Sequence, residues 1–527
     1  MKYLYCLAAL LLNLPALTAQ DALNVALMGL YDPGDGRASG SWSYVGADGT
    51  EYALLGAQTG TAIVEIGNSG TLTERAFIDG PPSNWREITV VGDYAYVVTE
   101  GNASPHPGMQ VIALDGLPQS ASLVTAFNEP FGRGHIIQKD IFEEQPYVYV
   151  CGTTTTSGVH IIDVTDPAAP QQVGLYQPGY YIHDCHVRGD ILFAAAFYEG
   201  TMDILDISDP ANPTLLNRMP YPGGNTHSMS TTLDMNYLFL CDEQDGLVAR
   251  MFDITDLTEP VEVATYTANL ESLVHNPYIR GDYIFITHNT EGLRILDITD
   301  PEVPVEVGYY DTYTGPSGGF SGLWSACPYL PSGRIIGGNR EDGLYVWSFN
   351  NSKAGRYYGQ VVDSLTGEPI VNAVITQPDE PGFALTSDFE GRFAAGTLSP
   401  SVNLAIAKNG YESKSLEIAL APNAAESFTV ELNPISPSNA EAMMVERSIH
   451  LYPTPARGQV IVEWLALPQG GASGALLSPS GQVLRRWDRL SGGRLLIDRA
   501  QWANGAYRFV LYGPDGKAIA TRPVVFH

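Results

Sequence analysis

Histidines recur at one position of a repeating sequence pattern, and an imidazole can bind a ligand through hydrogen bonds, transfer a proton or coordinate a metal. His135, His183, His227 and His275 follow one another at intervals of 48, 44 and 48 residues. Charged, polar or aromatic residues stand beside them or at the matching position of other repeats: Trp42, Arg86, Glu87, Asp184, Asn276 and Trp324. We take all of these residues as candidate ligand-binding groups.

The recurrence has two interpretations. If the repeats fold alike, their matching positions meet at one mouth of a central channel, where the side chains would bind a common ligand. Alternatively, each histidine hydrogen-bonds a loop carbonyl and fixes its repeat to the next, which is a structural role. The two roles are compatible, and the sequence leaves both open.

A metal site is a narrower form of the binding interpretation. The segment His183-Asp184-Cys185-His186 is rich in ligand types. Residues i and i+3 of a strand point to opposite faces, so His183 and His186 would not hold one ion together. Imidazoles from different repeats would suit zinc or copper. We expect no cofactor, and a transition metal bound between repeats is the alternative.

Signatures of hydrolases are weak. The chain has no His-Glu-x-x-His motif, and we expect no Gly-x-Ser-x-Gly elbow. The acid pairs Glu143-Glu144, Asp242-Glu243 and Glu341-Asp342 are predicted to be solvated turns of an acidic surface. We therefore assign no catalytic residue and favour a protein that is not an enzyme.

Short strands in a repeat of about 46 residues would position these groups. A glycine followed by an apolar strand occurs seven times, at Gly60, Gly108, Gly158, Gly200, Gly246, Gly292 and Gly343. A second apolar run precedes each strand, and turns such as DVTDPAAP (163–170), which an Asp side chain can close, follow several of them. Four-stranded units of this length are typical of a β-propeller. The prediction is an all-β, seven-bladed propeller over residues 20–350.

The N-terminus is predicted to complete the last blade. No strand follows residue 349 in the seventh unit, whereas residues 24–31 resemble the last strand of other units. Pairing of this segment with the last unit would close the ring and cover a sheet edge.

Composition and the N-terminal segment restrict the location and the partners. A formal net charge of -30 repels phosphate backbones and anionic membranes, so a nucleic acid partner is excluded. Residues 1–19 have the pattern of a secretory signal peptide, and no other stretch has the length of a transmembrane helix. The remaining cysteines, at 151, 185, 241 and 327, are expected to be buried thiols rather than a disulfide framework.

Several segments resemble the choice-of-anchor B family, which consists of secreted bacterial propellers with LVIVD-type repeats. They include SNWREITVVGDYAYVVTE (83–100), YIHDCHVRGDILFAAAFYEG (181–200) and LVHNPYIRGDYIFIT (273–287), and the resemblance extends over roughly residues 24–350. It implies a fold and an extracellular address rather than a reaction. The chain departs from the family pattern at His135 and His227, where His-Asn is commoner.

The C-terminal part resembles two small β-sandwich domains. Residues 354–434 are similar to a carboxypeptidase regulatory-like domain, and 435–447 form a Pro- and Ser-containing linker. Residues 448–527, with YPTPA at 452–456, resemble the C-terminal sorting domain of the type IX secretion system. This resemblance implies export from a Bacteroidota-type cell, with the type IX machinery as partner of 448–527 and a location outside the cell or on its surface.

The leading hypothesis is a non-enzymatic binding or adhesion module with a His-lined channel mouth that binds a glycan or a protein. Trp42, Trp85 and Trp324 would suit the face of a sugar. A secreted hydrolase or lyase, with or without a metal, that uses the same His and Asp groups is the second hypothesis. A structural protein of the surface matrix is the third. The sequence does not identify the ligand, because propellers have many unrelated functions.

Overall fold

The computed structural model describes residues 21–527 except 154, 222, 435–446, 466, 468–470, 500, 501 and 515. The predicted signal peptide and most of the predicted linker lie outside these residues. The chain divides into two compact units. The first contains the residues up to Tyr357 with Ala395–Pro400 and Leu420–Glu426, and the second contains Tyr358–Ala394, Ser401–Ala419 and Ser427–His527. Among the described residues, no helix has the length and apolar character needed to cross a membrane.

Residues 22–349 form seven antiparallel sheets, which we number in chain order by their first strands. Sheet 1 contains Ser41–Val45, Glu51–Gly56, Gly60–Ile66 and Leu72–Asp79; sheet 2 contains Arg86–Val91, Tyr94–Thr99, Met109–Ala113 and Ser122–Phe127. Sheet 3 contains Ile136–Gln138, Tyr147–Cys151, Val159–Asp163 and Gln171–Tyr176; sheet 4 contains Ile182–Arg188, Ile191–Ala196, Thr201–Asp206 and Thr214–Pro220. Sheet 5 contains Thr226–Thr231, Tyr237–Asp242, Ala249–Asp253 and Val261–Tyr266.

Sheets 6 and 7 each include a strand from the N-terminus. Sheet 6 contains Asn276–Arg280, Tyr283–Thr287, Leu293–Asp297, Val305–Tyr310 and Ala22–Leu23. Sheet 7 contains Leu323–Cys327, Ile335–Asn339, Gly343–Phe349 and Val25–Tyr31. Val25–Tyr31 pairs antiparallel with Gly343–Phe349, so a strand from the start of the chain is the fourth strand of the last sheet.

The repeat predicted from the sequence corresponds to these sheets, and the outcome is an all-β protein with four-stranded antiparallel sheets like propeller blades. The turn after the third strand is built as expected in four of them. The carboxylates of Asp163, Asp206, Asp253 and Asp297 each accept a hydrogen bond from the backbone N–H two residues further on, at 2.8 to 2.9 Å. These bonds satisfy the backbone where the strand stops.

The hydrophobic core lies between neighbouring sheets. Separate clusters of buried side chains join sheets 2 and 3, 3 and 4, 4 and 5, 5 and 6, and 6 and 7, and one cluster joins sheets 7, 1 and 2. The first strand of each sheet contacts the first strand of the next, and that of sheet 7 contacts that of sheet 1. Cys151, Cys185, Cys241 and Cys327 are free and buried, which confirms the predicted thiols.

The residues after 354 form two further pairs of sheets. A three-stranded sheet contains Arg392–Thr397, Gly355–Asp363 and Ala425–Leu432, and a four-stranded sheet contains Ala384–Thr386, Val374–Thr376, Ser401–Ala407 and Lys414–Ala419. Near the C-terminus, a three-stranded sheet contains Ile449–Tyr452, Gln459–Trp464 and Arg494–Asp498. Its four-stranded counterpart contains Val483–Trp487, Ser473–Leu477, Gly505–Tyr512 and Ala518–Phe526. The division into separate domains at 434 and 448 stays a prediction.

Candidate functional site

The four repeated histidines lie side by side and continue into a tryptophan. Successive ring centroids from His135 through His183, His227 and His275 to Trp324 are 4.4, 4.6, 4.3 and 4.4 Å apart. We call these five side chains the imidazole stack. All five are buried. The sheets that carry them are consecutive, so one side chain from each of sheets 3 to 7 builds a single continuous surface.

The start of the first strand positions each ring of the stack. His135 and His275 immediately precede their strands, and their backbone N–H groups bond the partner strand. His183, His227 and Trp324 fall where the pairing of the first and second strands shifts by one residue. A β-bulge of this kind turns a side chain away from the regular alternation, which explains how three residues within strands join two that precede strands.

A second repeat position supplies the partners of the stack. The residue directly after the second strand is Glu100 in sheet 2, Phe197 in sheet 4, Glu243 in sheet 5 and Arg340 in sheet 7. Glu100 Oε1 is 2.8 Å from His135 Nδ1, and the Phe197 ring is 4.7 Å from that of His183.

The same position brings Glu243 and Arg340 to the stack. Glu243 faces three of the imidazoles, and the Arg340 guanidinium lies 4.9 Å from the centre of the Trp324 ring. The prediction that Asp242-Glu243 is a solvated turn is wrong. Asp242 is buried and bonds Tyr221 and the Asn225 N–H, and Glu243 belongs to the site. These residues share one place in the sequence, directly after each second apolar run, but no common residue type marks it.

Hydrogen bonds at Nδ1 fix which ring nitrogen carries the proton. Nδ1 of His227 lies 3.1 Å from the His275 carbonyl oxygen, and Nδ1 of His275 lies 3.2 Å from the Trp324 carbonyl oxygen. A carbonyl only accepts, so both Nδ1 atoms donate and both Nε2 atoms present lone pairs. Nε2 of all four histidines is buried without a hydrogen-bond partner among the described residues.

Burial separates the charge states of the histidines. It lowers the pKa of His227 and of His275 to about 3 and, with the neighbouring histidines, lowers that of His183 well below the ordinary value. Burial acts against the charged form of His135 as well, but the hydrogen bond and charge of Glu100 outweigh it and raise the pKa of that ring. The rings of His183, His227 and His275 are therefore neutral at physiological pH, whereas the ring of His135 has a carboxylate partner.

A small polar cavity of about 40 Å³ is lined by a second set of the predicted residues, Trp42, Glu87, Asp184 and Asn276. It has room for only a few water molecules. Trp324 joins it to the stack, because its Nε1 donates to Glu87 Oε1 at 2.8 Å and its carbonyl accepts from Asn276 Nδ2 at 3.1 Å. Burial raises the pKa of Glu87 to about 7 and that of Asp184 to about 6.

Arg86 is the one predicted site residue that the structure directs elsewhere. Its guanidinium is fully buried and donates to the carbonyls of Ala57 and Pro81 and to Gln110 Oε1, at 3.1, 2.7 and 3.3 Å. Glu87, the next residue of the strand, points to the cavity. Successive side chains of a strand alternate between faces, so only one of this adjacent pair can line the cavity.

Three residues of the site could hold a metal ion. Ligand atoms of His183, His227 and Glu243 lie within 4.8 Å of one another. His186 is not among them, because its Nε2 is 2.9 Å from Thr231 Oγ1, on the side expected from strand alternation.

The fold and the site together define a class of protein. It is an all-β repeat protein whose sheets resemble propeller blades and contact one another through their first strands. Comparison with protein families identifies the repeat as the LVIVD repeat, at residues 84–103, 181–219 and 276–312. These matches cover the start of sheet 2, nearly all of sheet 4, and sheet 6. A search of curated proteins finds no match.

Proposed function

We propose that this protein is an extracellular binding module in which a seven-bladed propeller, closed by Val25–Tyr31, presents its His-lined mouth to a glycan or a protein. The closure is supported by the pairing of Val25–Tyr31 with sheet 7 and by the contact between the first strands of sheets 7 and 1. The observation that carries the binding role is the imidazole stack, whose Nε2 atoms are buried without partners. A purely structural role would leave little reason for four unsatisfied nitrogens at one place.

The edge of the stack offers a contact surface. Tyr198 is 75% exposed, and its ring lies 5.7 Å from that of Tyr181 and 5.0 Å from that of Phe197, which borders His183. Tyrosine faces of this kind suit an interface that is part apolar and part wet. Two of the three tryptophans expected at the sugar face fit this role less well, because Trp42 is only 9% exposed and Trp324 only 2%. Trp85 is partly exposed.

An enzyme is the second candidate, because the pKa values of Glu87 and Asp184 are shifted in the way that acid–base groups require. The cavity beside them, at about 40 Å³, has room for only a few water molecules. The letters Gly-x-Ser-x-Gly do occur at 315–319, contrary to our expectation from the sequence. Ser317 there is exposed in a loop and donates to Glu291, so it is not placed as a nucleophile.

The test is binding of the full-length protein to a glycan array and to extracellular proteins on a second array, with Tyr198→Ala as the variant. We expect at least a tenfold loss of binding and an unchanged melting temperature, since the side chain is mostly exposed. Phe389→Ala is the matched control, because Phe389 is 88% exposed in another part of the chain. Equal binding by Tyr198→Ala and wild type would refute a contact surface at this edge.

We propose export by the type IX machinery through residues 448–527, with 354–434 as a spacer. The support is the sequence resemblance and the strand pairs in both segments. Removal of 448–527 is expected to retain the protein in the periplasm of a type IX-competent host, as measured by cell fractionation. Unchanged export of the truncated protein would contradict this assignment.

A further inference from the structure

Glu243 lies opposite three neighbouring imidazoles. Its carboxylate oxygens are 3.8, 3.7 and 3.5 Å from Nε2 of His183, His227 and His275. The Nδ1 protons of His227 and His275 are donated to backbone carbonyls, so their Nε2 atoms turn lone pairs toward the carboxylate. Two electron-rich groups that face each other in a buried place are unfavourable unless a proton, a bridging water or a cation lies between them.

The tautomer of the rings fits a metal site. With Nδ1 as the donor to a backbone carbonyl, the neutral ring of His227 and of His275 presents its lone pair at Nε2. Neutral imidazole is the form that binds metals.

We propose that Nε2 of His183 and His227 and the carboxylate of Glu243 bind one divalent transition-metal ion of the zinc class, with His275 beside them. In a tetrahedral zinc site with bonds of about 2.1 Å, two ligand atoms are about 3.4 Å apart. The Glu243 oxygens lie 3.8 and 3.7 Å from the two Nε2 atoms, and the ligand atoms of the three residues lie within 4.8 Å of one another. Coordination therefore requires the side chains to move inward.

The surroundings of the rings also fit a metal. Ligating histidines usually donate their other N–H to a carbonyl or carboxylate, which fixes the ring and raises its basicity. His227 and His275 do so with the carbonyls of His275 and Trp324. Imidazole nitrogens with a single carboxylate favour zinc, nickel or copper, whereas calcium and magnesium prefer sites made of oxygen ligands.

This site goes beyond the proposed binding function. It assigns to an ion some of the Nε2 atoms that support the binding role, so ligand docking would then rest on the exposed surface at Tyr198. The ion would be held within the stack whether or not a ligand docks there. The site also departs from our expectation that the protein has no cofactor. The sequence pointed to ligands from different repeats but not to Glu243, which contributes the negative charge.

The test is titration of metal-depleted full-length protein with zinc chloride by calorimetry, with elemental analysis after dialysis. We expect one zinc ion per chain, removal by a chelator, and a higher melting temperature of the loaded protein. Loss of an outer-shell partner alone weakens metal binding about 10–100-fold. Glu243→Gln and His227→Asn remove direct ligands, so their zinc affinity is expected to fall by more than about 100-fold.

His160→Gln is the matched control, because His160 is a buried histidine with partners at both ring nitrogens, Thr156 at Nε2 and Gln172 at Nδ1. It is expected to bind zinc like wild type. Glu243→Gln has nearly the same shape as wild type, and its amide N–H can donate to an imidazole lone pair. We therefore expect the metal-free variant to fold and to melt at or above the temperature of metal-free wild type.

Two results would overturn the site: wild type that holds no stoichiometric zinc, or Glu243→Gln that binds zinc as wild type does. Cobalt(II) provides a spectroscopic check, since coordination by the stack should give a visible absorption band that Glu243→Gln lacks. Failure of the Tyr198 experiment would leave zinc binding intact, so the two proposals fail separately.

Discussion

Asp184 gives the sharpest test of the charge distribution around the small polar cavity. Its side chain is 2% exposed, and Oδ1 accepts hydrogen bonds from Gln138 Nε2 at 3.2 Å and from the Cys185 N–H at 2.7 Å. Burial raises its pKa from 3.8 to about 6, although bonds from Ser228 and Gln138 act in the opposite direction. We predict that Asp184→Asn, which keeps an acceptor oxygen, stabilises the protein in a pH-dependent way.

The size and sign of the effect follow from linkage. This rise in the pKa of Asp184 means that the ionised carboxyl group destabilises the folded protein by about 3 kcal/mol. The folded pKa lies above the unfolded one, so wild type has its full stability below about pH 4 and loses this amount as the pH rises through 6. For a unit of the size of residues 21–357, about 3 kcal/mol corresponds to roughly 4 °C in melting temperature.

The assay is differential scanning calorimetry of wild type and Asp184→Asn at pH 4.5 and pH 7.5. We expect the variant to melt roughly 4 °C above wild type at pH 7.5 and much closer to it at pH 4.5. Asp115→Asn, at an exposed position, is the control and should show the same small difference at both pH values. If the difference in melting temperature between Asp184→Asn and wild type does not change with pH, the Asp184 carboxyl group is not desolvated in the folded protein.

Three further predictions address the N-terminal strand and two buried charged residues. Deletion of Ala22–Tyr31 should lower the stability of the first unit by roughly 5 kcal/mol or more, since it removes a row of ladder hydrogen bonds, and an unchanged melting profile would exclude ring closure by this segment. Arg86→Met should lower stability by about 3 kcal/mol, because buried acceptors lose their donor, yet zinc affinity should remain that of wild type. The free energy of unfolding of Glu87→Gln, relative to that of wild type, should rise by up to about 3 kcal/mol between pH 4.5 and pH 8.5, because the pKa of Glu87 is raised to about 7. A stability difference that stays constant over this range would argue against burial of the carboxyl group.

The repeat made much of the fold predictable. A glycine before an apolar strand and an aspartate after it mark the third strand, and the apolar run before that glycine is the second strand. The spacing of His135, His183, His227 and His275 correctly predicted that they lie at matching positions, because repeats that fold alike bring equivalent residues together. The pairing of residues 24–31 with the last sheet was also foreseen from a short resemblance between strands.

The partners of the stack were not predictable by the same argument. Glu100, Glu243 and Arg340 share a position but not a chemical type, so no recurring letter marks them. An acidic surface supplies many pairs like Asp242-Glu243, and only the distance to the imidazoles separates this pair from the others. The side chain of Arg86 lies away from the predicted site for another reason, because a one-residue change along a strand reverses the face on which a side chain lies.

The departures from the repeat matter more for the chemistry than the repeat itself. A fully symmetric ring would place the same group in every sheet and would offer several equivalent places for an ion. Here the histidines of sheets 4, 5 and 6 share one carboxylate, that of Glu243, which comes from sheet 5, the middle one of the three. His135 is turned to Glu100 instead, and Trp324 occupies the next place along the stack. The single Glu243 carboxylate among these rings favours one divalent ion at this site, so a measured stoichiometry of two or more would mean a further site elsewhere in the protein.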